Sequence, residues 1–195
     1  MRRTNARCGS KHNRHVTAYV LRKVARNMTP FFRLIADNQR YAQCWSKAVV
    51  HANATALRRL FRIASPQAKR PLPSTDGRGY LINFEFKGPV PLYGSGTENT
   101  SVNGKFIFET RVHRAISRAI LPLYVTLAVN PAFARALALA IRLGDVRAVT
   151  CIVKSVVTAP QLQSVSIEES GIALAFKYAF SKYRYEHFLL SERFE

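Results

Sequence analysis

Apolar residues recur at helical spacing through the first third of the chain. Val16, Tyr19, Val20 and Val24 predict a short helix over residues 16–26. Thr29-Pro30 then reads as an N-cap followed by proline at the first helical position. From there Phe31, Leu34, Ile35, Ala42, Trp45, Val49, Ala52, Ala56, Leu60 and Ile63 keep the 3.6-residue spacing of an amphipathic helix. Unbroken, it would run about 50 Å at 1.5 Å per residue, with Asn53 and Thr55 marking where a break would fall. Residues 65–79, rich in Pro, Ser and Gly, end the pattern and read as a linker.

Beyond it the period changes. Residues 80–87 and 105–111 alternate with period two and are aromatic-rich, which predicts strands joined by the Gly, Pro and Ser-rich loop 88–104. Helical patterns follow over 112–129, over 131–143 behind a second cap-and-proline pair, Asn130-Pro131, and over 145–157. In the last of these, Val146, Val149, Val153 and Val156 suit a strand as well. Ser164–Glu168 and Ile172–Phe180 alternate around Glu169-Ser170-Gly171, predicting a hairpin with Gly171 in the left-handed position. Ile172, Leu174, Phe176, Tyr178 and Phe180 would share one face, and Ala173, Ala175 and Ala179 the other, where a helix could pack closely. The expected fold is α+β: a basic N-terminal helical region followed by a domain of two antiparallel β-hairpins flanking a helical segment. The corresponding division is a basic tail, 1–15, a helical region, 16–64, a linker, 65–79, and an α+β domain, 80–195.

Charge divides the chain in the same place. The net charge is +19, and hydrophobic residues make up 48%, a folding composition. Residues 1–72 hold sixteen Lys or Arg against Asp37 alone, while residues 73–195 hold fourteen against ten acids. Three widely spaced cysteines, Cys8, Cys44 and Cys151, offer neither a disulfide framework nor paired metal ligands. The polar, Arg-rich start lacks the apolar run of a secretory signal, though its composition also resembles an organelle transit peptide. The longest uncharged apolar stretch, 119–134, contains Pro122 and Pro131 and falls short of the roughly 20 residues of a membrane span. These features fit an intracellular protein, cytoplasmic or nucleoid-associated, and are compatible with organellar import or a virion.

On a helical wheel with Arg33 at zero, Arg40, Lys47, His51, Arg58 and Arg62 fall within about 40° of it, opposite the apolar series. An ordinary solvated face interleaves acids and bases, because like charges at i,i+4 repel. A stripe of cations without counterions instead suits phosphate contact, whose counterion release depends on charge and not on base sequence. Arg111, Arg114 and Arg118 at i, i+3 and i+7 make a second, shorter patch. The expected function is non-enzymatic nucleic-acid binding with backbone-dominated phosphate contacts through Arg33, Arg40, Lys47, Arg58, Arg62, Arg111, Arg114 and Arg118, as in packaging, a virion or a ribonucleoprotein. The alternative is an assembly protein whose basic helix binds an acidic protein partner or an anionic membrane surface. The membrane mode requires that Trp45 and Val49 be free.

Other patterns in the chain are weaker. Asp76, Glu85 and Lys87 form the acid-and-lysine set of a metal-dependent nuclease, a pattern any polar strand face produces by chance. Phe84, Phe86, Phe106 and Phe108 could stack unpaired bases, but an alternating aromatic face usually covers a core. Cys8, His12 and His15 lack a fourth metal ligand. No nucleophile elbow, P-loop or dinucleotide fingerprint occurs, so no catalytic residue, metal or cofactor is expected.

Overall fold

The computed structural model describes residues 15–88, 90–101 and 106–191. Residues 1–14 of the predicted tail, with Cys8 and His12, and the start of the predicted strand at Lys105 lie outside the described residues. The fold is α+β, with six helices and a six-stranded antiparallel sheet among the described residues.

Helix α1, Ala18–Asp37, starts at Thr17, whose hydroxyl accepts a hydrogen bond from Val20 N. It runs straight through Thr29-Pro30, so the predicted helix start there is an interior position. Thr29 Oγ1 donates to Ala25 O at 2.7 Å instead of capping. Pro30 has no N–H to give Arg26 O, and a proline inside a helix costs about 3 kcal/mol. The loop after the third helix reaches the open carbonyl: Gln67 Nε2 donates to Arg26 O at 3.5 Å, and Ser65 Oγ donates to the adjoining Asn27 O at 2.6 Å.

The single long helix expected over 30–64 is three. Asn38 caps α2, Gln39–Val50, accepting from Tyr41 N, and Asn53 caps α3, Ala54–Ala64, accepting from Ala56 N, both at 2.9 Å. Each Asn side chain replaces an orphaned helix-start contact and lets the chain turn so that successive apolar faces meet one core. Trp45, Val49, Leu57 and Phe61 are all fully buried there.

The segment read as a linker contributes strand β1, Leu72–Thr75, paired with β2, Gly79–Glu85. Strand β3, Leu92–Asn99, lies in the stretch expected to be a loop. Its composition hides it, because Gly94 and Gly96 are where a Cβ would run into the backbone of β2 at Ile82 and Tyr80. The strand expected over 105–111 does not form: Phe108 turns into the core and α4, Thr110–Val129, begins directly after Glu109. Two alternating aromatics need a strand partner to become a strand, and β2 is already paired on both sides.

Helices α4, α5, Pro131–Leu143, and α6, Val146–Lys154, match the predicted helical stretches, the valines of α6 falling on its buried side at Val149 and Val153. Strands β4, Leu162–Glu168, β5, Gly171–Lys177, and β6, Arg184–Leu190, follow. The hairpin β4–β5 exists, but Glu169 carries the positive φ of its turn, at 49°, and Gly171 sits in the strand, where a Cβ would meet Leu189 O. The two meanders, β1-β2-β3 and β4-β5-β6, join through β3 and β6 into the order β1-β2-β3-β6-β5-β4.

Helices lie against the sheet face that carries Tyr80, Ser95, Thr97, Leu174 and His187. Ile172, Leu174 and Phe176 point to this side. Ala173 and Ala175, expected to receive a helix, lie on the opposite face opposite Phe188 and Glu186. That outer face is partly open, with a shallow cavity of about 470 Å³ lined by Leu81, Glu98, Phe188 and Leu190. Antiparallel α1 and α4 form the centre of the helical layer: the end of α1 lies at Arg114 and the end of α4 at Arg26. Helix α4 is long and apolar enough to cross a membrane by length and composition, and half of that window is buried inside the fold.

Candidate nucleic-acid interface

Charge follows secondary structure. Helices α1 to α6 carry four, two, three, three, two and two Lys or Arg respectively, and the one acid inside any of them is Asp37, the last residue of α1. The strands reverse the balance, with Glu85, Glu98, Glu168 and Glu186 against Lys177 and Arg184. The ion pairs between described side chains lie on the sheet side: Arg78–Asp76 at 2.6 Å and Arg184–Glu186 at 4.0 Å. No Lys or Arg from Arg22 to Arg70 has a carboxylate partner among the described residues.

The predicted stripe divides accordingly. Arg33 is exposed on α1, Arg40 and Lys47 on α2, and Arg58 and Arg62 on α3. Since three axes replace one, the wheel relates only residues of the same helix: Arg40 to Lys47, seven apart, and Arg58 to Arg62, four apart. On α3 the face carrying Arg58 and Arg62 also carries Arg59, Thr55 and the exposed Ile63, around a shallow groove of about 410 Å³. Arg59 was not on the predicted stripe because the single-helix wheel puts it about 100° from Arg58.

The second patch is exposed at Arg111 and Arg118 and half-buried at Arg114, and all three also make contacts within the fold. Arg114 donates to Ala36 O from Nε at 3.3 Å and from Nη2 at 2.9 Å, and reaches Gln39 Oε1 at 3.4 Å. Arg118 Nη2 donates to the same Ala36 O at 2.7 Å. Two guanidinium groups thus cap the C-terminal end of α1, satisfying a terminal carbonyl and the negative end of the helix dipole. Arg111 stands 4.0 Å over the Phe180 ring, a cation–π contact. Arg26 repeats the device at the other end, its Nε donating to Ala128 O at 3.3 Å near the close of α4.

The weaker signals resolve geometrically. Asp76 precedes β2 and Glu85 ends it, so the two acids lie at opposite ends of a seven-residue strand. Burial works to raise the Asp76 carboxyl, but hydrogen bonds from Arg78 N, the Arg78 guanidinium and Gly79 N, with the Arg78 charge, hold it below its usual value. Glu98 is pushed up, by burial first and then by Asp76. Among the described residues no three His, Cys, Asp or Glu converge as a metal site. Phe84 and Phe108 are buried and Phe106 is exposed away from any strand, so the four phenylalanines do not form a platform. Trp45 and Val49, whose exposure the membrane mode requires, are fully buried.

Sequence reasoning missed a buried polar chain at the helix–sheet interface. His187 hydrogen-bonds Thr97 Oγ1 through Nδ1 at 3.0 Å and Tyr124 OH through Nε2 at 2.8 Å, and Tyr124 OH meets Ser95 Oγ at 2.5 Å. His113 Nε2 meets Tyr80 OH at 2.8 Å. Burial drives both imidazoles down to about 3, the two histidines adding mutual repulsion at His113. Ser95, Thr97, His113, Tyr124 and His187 are buried within the core between the helices and the sheet. Comparison of the chain with protein-family models, curated proteins and solved structures finds no match.

Proposed function

We propose that this chain is a non-enzymatic nucleic-acid-binding protein that contacts the phosphate backbone through the cationic surface of its helical layer. The observation that carries the reading is the segregation of charge: cations on every helix, one acid within them, and no carboxylate partner from Arg22 to Arg70 among the described residues. Burial of the apolar faces of α1 to α3 leaves their basic faces as the free surface. Mutual repulsion on such a surface is relieved by a polyanion that releases its condensed counterions on binding. Arg33, Arg40, Lys47, Arg58, Arg59 and Arg62 make the contacts. Arg111, Arg114 and Arg118, tied to Phe180 and to the end of α1, support the helices that present them. Packaging, a virion role and a ribonucleoprotein role share this chemistry.

The test is a binding titration against salt. Affinity for a duplex probe falls log-linearly with salt concentration, and Arg58→Ala with Arg62→Ala flattens the slope by about two phosphate contacts. A slope unchanged by that double substitution removes α3 from the interface. A second reading, assembly between copies, draws on the open outer sheet face, where Glu98 and Glu186 lie beside half-buried Phe188 and Leu190. It predicts salt-sensitive oligomers without nucleic acid, seen by sedimentation.

A further inference from the structure

Two grooves on the basic side meet at Tyr19. One, of about 200 Å³, is lined by Arg22, Lys23, Arg26 and Arg135 together with Ala18 and Pro131, the first residues of α1 and α5. No acid lines it. Two helix N-termini therefore add their partial positive charge to four cations drawn from two helices. Arg26 is fixed there by its bond to Ala128 O, and Arg22 Nε is buried without a hydrogen-bond partner among the described residues. The other groove, of about 380 Å³, takes Lys23, Lys69 and Lys87 with Phe86, and one carboxylate, Glu85.

Tyr19 separates the two and is 67% exposed, a large apolar ring left in solvent by a helix whose other aromatics are buried. Its T-shaped contact with Phe86, centroids 6.3 Å apart, orients the ring without covering it. A cation cleft, an exposed aromatic and a second, mixed-charge groove adjoin one another, the kinds of surface that phosphate and base need side by side. Glu85, among the lysines of the second groove, accepts hydrogen bonds of the kind the edge of a base offers.

We propose that this pair of grooves binds single-stranded nucleic acid, with a phosphate among Arg22, Lys23, Arg26 and Arg135 and the adjoining unpaired base stacked on Tyr19. The proposal rests on the nucleic-acid reading above and adds the class of strand. Bases inside a duplex already stack on both faces, so Tyr19 selects unpaired ones.

Fluorescence anisotropy on the intact chain tests it, with oligo(dT) and oligo(U) of about 16 nucleotides, the upper end of common single-strand site sizes, and a duplex of equal length. Single strands bind more tightly than the duplex. Tyr19→Ala weakens them about 5- to 100-fold and leaves the duplex unchanged, Tyr19→Phe restores binding, and Arg22→Ala with Arg135→Ala weakens all three probes. The tighter of the two single strands identifies the polymer. Thermal unfolding of Tyr19→Ala should match the parent, since the ring is exposed. Single strands binding no better than duplex, or unaffected by Tyr19→Ala, overturn the stacking site and leave phosphate contact standing. Failure of every probe to bind at about 50 mM salt overturns both.

Discussion

Individual residues show most clearly where charge is tolerated and where it is not. His187 has hydroxyl partners on both ring nitrogens, so it is held neutral and its burial is fully compensated on the polar side. Tyr124→Phe deletes one hydroxyl and leaves His187 Nε2 and Ser95 Oγ short of a buried partner, an expected loss of about 1–3 kcal/mol in urea unfolding. Acid should unfold the protein through the same group. Both histidines titrate near 3 when folded and in the ordinary range near 6.5 when unfolded, so the unfolded chain takes up protons first. Their contribution to stability is whole above about 6.5 and is lost as pH falls towards 3. Glu98, raised in the fold, works in the opposite direction, adding stability as pH falls from above its raised value to its ordinary 4.5. Urea midpoints should therefore drop between pH 7 and pH 5, and a constant midpoint would show that the imidazoles are not buried as neutral groups. These hydroxyl partners come from β2, β3 and α4, and no local pattern around His113 or His187 announces them.

Elements were legible in proportion to how local their causes are. Helices α4 and α5 and the β4–β5 hairpin follow from periodicity and turn chemistry within a few residues. Strand β3 could not be read, because Gly94, Ser95 and Gly96 are chosen by how closely β2 approaches. Gly96→Ala would press a methyl group onto Tyr80 O and is expected to destabilise the sheet by about 1–3 kcal/mol, measured by thermal or urea unfolding. Helix breaks behave differently. Asn53 was visible as a break point and Asn38 was overlooked inside an unbroken apolar series, yet both make the same bond at 2.9 Å. Each Asn→Ala change should lower stability by about 1 kcal/mol, with equal effects at the two caps. Matching losses would confirm that the N-terminal region is a chain of three capped helices. Far-UV circular dichroism should change little, since Ala itself favours helix.

Across the whole molecule, the layers differ in sign as well as in secondary structure. Helices face one side with cations and the sheet's outer face presents most of its strand acids to the other, so nucleic acid is expected to approach from the helical side. Replacing Glu98 with Gln should leave duplex affinity within a factor of about two, whereas Arg58→Ala with Arg62→Ala should weaken it measurably at low salt, because screening limits each charge to about 10 Å at 0.1 M. Parallel titrations of the two variants decide this, and equal losses would mean that the side facing the ligand has been misassigned. The imbalance of charge, the position of most helices and the α+β class could be read from the chain alone, since they depend on composition and on neighbours within a few residues. Which cations remain free could not. Arg114 looks like surface charge until α1 arrives with an uncapped carbonyl at Ala36, and Tyr19 looks like a core residue until the fold leaves it between two grooves. The fate of a side chain is settled by the segments distant in sequence that fold against it, and those contacts exist only once the chain has closed.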